Sequence, residues 1–143
     1  MVLVAKDIVE KGFLSMQRGT TALEAAKQMQ SNRHGFVVVT TADGKPEGIV
    51  TEWDYLSKLV ATEKDPARVK LEEIMSVNLV TVKADQGLDE VAQLMAEKGI
   101  RRVLVIQDGK ILGTITARTM LASLKDYIDR ISTQIARLQV PRA

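Results

Sequence analysis

The amino-acid sequence repeats itself, and an internal repeat restricts the fold more than any single predicted element does. Lys6-Asp7-Ile8-Val9 has a counterpart in Glu72-Glu73-Ile74-Met75, an offset of 66 residues between Ile8 and Ile74. At this offset Ala26 falls on Ala92, Met29 on Met95, Val37 on Val103 and Val39 on Val105. The second copy then loses one residue. Gly44 matches Gly109, Gly48 matches Gly113, Thr51 matches Thr116 and Leu56 matches Leu121, all at an offset of 65.

Each copy reads as the same string of elements. An extended piece comes first, Phe13-Leu14-Ser15-Met16 and Leu79-Val80-Thr81-Val82. A helix follows, with Thr21 and Glu24 spaced for a capping box in the first copy and Gly99 placed to end it in the second. Ala22, Ala25, Ala26 and Met29 recur at helical spacing, as do Leu88, Val91, Ala92 and Met95. Two apolar runs then flank Asp43-Gly44 and Asp108-Gly109, and Asp-Gly between β-branched runs is a hairpin signal. A second helix is predicted over 52–62 and over 117–138. Asp65-Pro66 reads as the connection, because Pro disfavours helix at the residue before it.

A β-α-β-β-α unit of this size cannot bury both faces of a three-stranded sheet by itself, so the repeat predicts a mixed α/β fold. Two units should pack around one shared core with pseudo-twofold symmetry. The expected divisions are a first unit at 1–64, a linker at 65–71, a second unit at 72–127 and a C-terminal helical extension at 128–143. Aromatic residues make up 3% of the chain, so the core must be built from Val, Ile, Leu, Met and Ala. The six methionines are read as core filler.

Composition excludes several kinds of function. No cysteine is present, which removes disulfides, thiolate metal sites and a thiol nucleophile. His34 is the only histidine, and its neighbours supply no metal-ligand spacing. No triad, paired carboxylates or phosphate-binding glycine loop marks an enzyme. The formal net charge is +2, too small to mark a nucleic-acid or membrane surface, and stacking aromatics are scarce. No secretory leader or membrane-spanning run is visible, so a cytoplasmic protein is expected.

With these motifs in place, the sequence resembles the CBS domain (cystathionine beta-synthase domain). Leu71-Glu72-Glu73-Ile74-Met75 is similar to the family's short helical lead-in, and Ile100-Arg101-Arg102-Val103-Leu104-Val105 to its middle strand. Gly48-Ile49-Val50-Thr51-Glu52-Trp53-Asp54 matches its Gly-apolar-apolar-Thr/Ser-x-x-Asp signature in full. The resemblance covers about residues 4–127. It implies a Bateman-type tandem pair: a non-catalytic regulatory module that binds AMP, ADP, ATP or S-adenosylmethionine in clefts between the units. It also implies a homodimer, a regulated partner protein and no cofactor beyond the regulatory ligand. The competing readings are a protein-interaction module with a vestigial pocket and a nucleic-acid binder.

The resemblance also implies site residues. Asp54 would take the ribose diol and Thr51 a phosphate, at a helix start that favours anions. The bland reading, a capping Thr and a first-turn acid, stands beside it. The facing wall would be Asn78, Leu79 and Val80 with Ile100, Arg101 and Arg102, the apolar residues sandwiching adenine and an arginine fork reaching phosphate. For two arginines at a strand edge, edge protection is the alternative.

The second copy, Gly113-Thr114-Ile115-Thr116-Ala117-Arg118-Thr119, carries Thr119 in place of the acid. Its wall would be Phe13, Leu14, His34, Gly35 and Phe36, with Arg33 and Arg118 as substitute cations. A second, weaker site at Phe13, Leu14, His34, Thr116 and Thr119 is therefore expected. Trp53 is assigned to core or interface packing. From Ala117 the apolar residues Leu121, Leu124, Ile128, Ile131, Ile135 and Leu138 form a long stripe, closed by Pro141. Either the helix folds back on its own unit, or the stripe is a dimer contact.

Overall fold

A computed structural model describes residues 3–138 of the chain. Two three-stranded sheets carry the fold, each built in the same order. In the first, β1 (Ser15–Gln17) runs parallel to β2 (Phe36–Thr40), and β2 pairs antiparallel with β3 (Pro46–Thr51). In the second, β4 (Thr81–Lys83) is parallel to β5 (Arg102–Gln107), which pairs antiparallel with β6 (Lys110–Thr116). The helices are α1 (Ala5–Ile8), α2 (Ala22–Asn32), α3 (Glu52–Tyr55), α4 (Leu71–Ile74), α5 (Leu88–Lys98) and α6 (Ala117–Leu138).

The middle strands explain why the core needs so few aromatics. All five residues of β2 are buried. Side chains alternate across a strand, so such a run must be covered on both faces. Val37 and Val39 pack with Ala22, Ala25, Met29 and Leu59 under the helices of their own unit. Phe36 and Val38 point the other way and meet Leu104 of β5, while Val103 and Val105 turn into the second unit's core. Each unit thus has its own aliphatic core, with a thinner layer joining the sheets. The single shared core expected from the repeat is replaced by these three clusters.

The turn chemistry follows the residues. Asp108 and Gly109 both have positive φ, 52° and 74°, forming the two-residue turn between Gln107 and Lys110. Gly99 ends α5 in the left-handed region at φ 62°, and its counterpart in the first unit is Arg33 at φ 55°. Thr21 caps α2 by accepting the Glu24 N–H at 3.2 Å, which forms one half of the expected capping box.

Some boundaries differ from the sequence reading. The strands begin two residues late, so Phe13, Leu14, Leu79 and Val80 lie in the extended approaches to β1 and β4. The helix expected over 52–62 is α-helical only to Tyr55 and continues as a wider π-helical turn over Leu56–Val60. Pro141 lies outside the described residues.

The two lead-ins are exchanged between units. α1 packs on the second unit: Ala5 N–H donates to Gln86 O at 2.8 Å, and Glu10 bridges Thr114 of β6. α4 packs on the first: Leu71 and Ile74 enter its core, and Ser76 bridges Ile49 of β3. The crossing is close. A Cβ on Gly48 would lie 2.5 Å from Met75 Sδ and 2.9 Å from Ser76 O, and one on Gly113 would overlap the Glu10 carbonyl oxygen. The signature glycines are therefore glycine because a neighbouring backbone passes over them.

Candidate functional site

The start of α3 is assembled by its own sequence. Asp54 lies three residues past Thr51, so its Oδ2 accepts the Thr51 backbone N–H at 2.8 Å. Asp7 serves Val4 in the same way at 2.8 Å, and Glu73 serves Lys70 at 2.7 Å. Asp54 differs from those two acids in being only 7% exposed. Its other oxygen, Oδ1, meets Lys58 Nζ at 2.9 Å, one helical turn on. Lys58 is held in turn by the Ile74 carbonyl at 2.7 Å. Local capping, an ion pair to the half-exposed Lys58 and the exchanged lead-in thus fix the carboxylate.

Thr51 and Asp54 open onto a cleft of about 260 Å3 between the two units. Asn78, Leu79, Val80, Ile100, Arg101 and Arg102 line its other wall. All eight residues named from the sequence for the first site therefore face one space. Its floor adds Phe36, Ile49, Ser76, Leu104 and Thr114, none of them assigned to this site beforehand. The resemblance assigns Phe36 to the wall of the second site; β2 alternation instead turns it into the layer between the sheets.

Phe36 also places the cation. The Arg102 guanidinium carbon sits 5.0 Å from its ring centroid, within cation–π range. Burial, then the neighbouring Arg101 charge, push the Arg102 guanidinium below its ordinary pKa, and Glu52 acts in the opposite direction. A half-buried cation beside a like charge favours an anion in the same cleft.

The second signature is built differently. The Thr119 N–H donates to Thr116 Oγ1 at 3.1 Å, and the two hydroxyls lie 2.9 Å apart. Thr119 Oγ1 donates to Glu10 Oε1 at 2.7 Å. The carboxylate missing from the signature is thus supplied by the exchanged lead-in. Phe13 packs in the inter-sheet layer and Leu14 against the first unit's core. His34 and Arg33 line a separate groove with Ala26, Met29, Gln30, Glu52 and Tyr55. Trp53 is 68% exposed, so the core-packing assignment fails. Among the described residues no group of three or more His, Cys, Asp or Glu could hold a metal ion, and no helix is long and apolar enough to cross a membrane.

The family model described as "CBS domain" matches residues 5–61 and again 71–126. The chain belongs to the CBS domain family. The two matched segments account for both sheets and for both exchanged lead-ins. An uncharacterized protein of Methanopyrus kandleri is 34% identical over 134 residues, spanning 93% of this chain and 68% of the relative. A homoserine O-acetyltransferase of Methanohalobium evestigatum is 30% identical over 122 residues, and there the chain spans only 24% of the relative's length. Among solved structures, the CBS domain pair of protein MJ0100 superposes with a TM-score of 0.78 at 27% identity, covering 89% of this chain and 99% of that one. That structure is a complex with 5-methylthioadenosine and S-adenosyl-L-methionine.

Proposed function

We propose that this CBS pair is a regulatory module that binds an adenine mononucleotide in the cleft of Thr51, Asp54 and Arg102 and acts through a partner protein rather than by catalysis. The observation that carries this reading is the cleft's composition. It combines a carboxylate and a hydroxyl at a helix start, an apolar platform of Leu79, Val80 and Ile100, and two guanidinium groups. Asp54 keeps lone pairs for a ribose diol even while it serves Thr51 and Lys58, since a carboxylate offers about four acceptor sites. Binding of adenosyl compounds by a CBS pair of the same fold supports the ligand class.

Charge selects within that class. Asp54 is offset by Lys58, so Arg101 and Arg102 leave the cleft positive. A phosphorylated nucleotide suits this better than the cationic sulfonium of S-adenosylmethionine. The volume of about 260 Å3 lies just below that of ordinary ligand pockets, roughly 300–1,000 Å3, and so favours a ligand no larger than a mononucleotide.

Calorimetry with AMP, ADP, ATP, adenosine and S-adenosylmethionine tests the reading. Asp54→Asn should lower AMP affinity at least roughly tenfold, because each charge-assisted bond is worth about 1.5–3 kcal/mol. Arg102→Ala should weaken AMP more than adenosine. Thr119→Ala should change little. Wild-type affinity in Asp54→Asn, with binding abolished by Thr119→Ala, would move the ligand to the other signature and overturn the proposal.

A further inference from the structure

The phosphate end of the cleft opens onto a second hollow, of about 300 Å3. Thr51, Arg101 and Arg102 line both spaces. These are the groups suited to a phosphate, whereas Asp54 and the apolar platform of Leu79, Val80 and Ile100 line the cleft alone. A nucleotide laid with its base on the platform and its ribose on Asp54 therefore carries its first phosphate to the boundary. Any further phosphate has to continue into the hollow.

There it meets an acid. Beyond the three shared residues the walls of the hollow are Gly35, Glu52, Trp53 and Leu56, so the one charge they add is negative. Glu52 is the first residue of α3, and its N–H donates to Gly35 O at 3.1 Å. Its side chain bends back over that glycine. A Cβ on Gly35 would lie 2.8 Å from Glu52 Oε1 and 3.5 Å from Arg102 Nη2, so the carboxylate and the guanidinium converge on the space a side chain would fill. Among the described residues neither group is in an ion pair, so both charges act on a ligand. Arg102 is held back over the Phe36 ring at 5.0 Å and does not follow a lengthening phosphate chain outward. Arg101 borders the hollow too, so an added phosphate faces one cation and one anion there instead of two cations.

The acid belongs to this cleft alone. In the second copy Ala117 stands in the place of Glu52 and makes the same backbone bond, to Arg101 O at 2.9 Å. No residue of α6 lines either space. That helix does not fold back on its own unit: from Leu121 to Leu138 its large apolar residues are 38% to 81% exposed, and its charges stay away from the hollow.

We infer that Glu52 is a specificity-determining residue that sets the phosphate number, so that the cleft takes a nucleoside monophosphate in preference to the di- or triphosphate. The inference rests on the nucleotide reading of the cleft and deepens it. Each phosphate beyond the first adds negative charge near the Glu52 carboxylate, and two like charges about 4 Å apart change affinity by roughly fivefold even in water-like surroundings.

Calorimetry of the full chain with adenosine, AMP, ADP and ATP tests this, in a chelating buffer so that no metal ion bridges phosphate to carboxylate. The parent should bind AMP at least as tightly as ADP or ATP, although the longer anions offer more charge to the arginines. Glu52→Gln keeps the size of the side chain and removes its charge. Adenosine affinity should stay parental, the ratio of ATP to AMP affinity should rise at least roughly fivefold, and the rise should shrink in high salt. A parent that prefers ATP to AMP by roughly tenfold overturns the inference. So does a ratio that Glu52→Gln leaves unmoved, or moves equally at all salt concentrations, while AMP still binds and Asp54→Asn still weakens it; the nucleotide cleft then stands without this selector. If no nucleotide binds the parent, the cleft reading falls and this inference falls with it.

Discussion

Two glycines at matching positions make different demands on their surroundings. At Gly48 an added methyl meets first the flexible end of Met75, which can move, although the Ser76 carbonyl is also near. At Gly113 it meets the Glu10 backbone, which is tied to Thr114 by hydrogen bonds of 2.9 Å in both directions. Overpacking of this kind costs about 1–3 kcal/mol. Gly113→Ala should therefore lower the denaturation midpoint more than Gly48→Ala does, and an equal effect in urea titrations would contradict this account. Tyr55 gives a second residue-scale expectation. Its hydroxyl donates to Ala22 O at 2.6 Å, and burial raises its pKa to about 12. An unfolded tyrosine ionises near 10, so between those values the unfolded state loses its proton first and stability falls as pH rises. Tyr55→Phe should remove that decline, at a cost near neutral pH of about 1 kcal/mol for the lost hydrogen bond. Denaturation at pH 8 and pH 11 compares the two. At this scale the sequence spoke clearly where a motif fixed the spacing, as at Thr51 and Asp54. Lys58 was also within reach, since Asp54 and Lys58 stand four apart on one helix. Phe36 was not, because in a run buried on both faces alternation does not say which face meets the cleft.

At the scale of elements, the order of strands and helices was legible because the repeat states it twice. What the pattern could not state is where a lead-in packs. α1 and α4 are short amphipathic turns, and nothing in either one records that its partner surface belongs to the other unit. This is why Glu10 went unseen as the acid beside Thr119, although it matches Ser76 at the same offset that relates the two copies. The π-helical turn after Tyr55 was hidden for a similar reason. Leu59 reaches the first unit's core and is 2% exposed, a demand that arises from packing rather than helical propensity. In the second unit the corresponding helix makes few demands of its own chain, and α6 runs unbroken for 22 residues.

For the whole molecule, exchange of the lead-ins makes the two units mutually dependent. The first loses Leu71 and Ile74 from its core if the chain is cut at the connection, and the second loses Ala5 and the Glu10 bridge. A fragment of residues 1–66 should lack cooperative unfolding by circular dichroism, and so should residues 67–143. An equimolar mixture should regain it, since all native contacts except the connection are then available. Independent cooperative folding of either half would show that the exchanged helices are ornamental. The uncut chain should unfold in one transition that is the same by every probe.

The exchanged lead-ins also set an order of events while the chain is being made. The first unit has all three strands once Thr51 has emerged, yet its core stays open until Ile74 follows. α1 waits longer still, because its own hydrogen bonds reach Ala84 and Gln86 and the Glu10 bridge just after it reaches Thr114. Contacts so distant in sequence close late and slow folding, since the loop must be ordered before the contact stabilises it. Ala5 and Ile8 therefore stay exposed until the strands of the second unit have been made, and a segment early in the sequence is among the last to find its place.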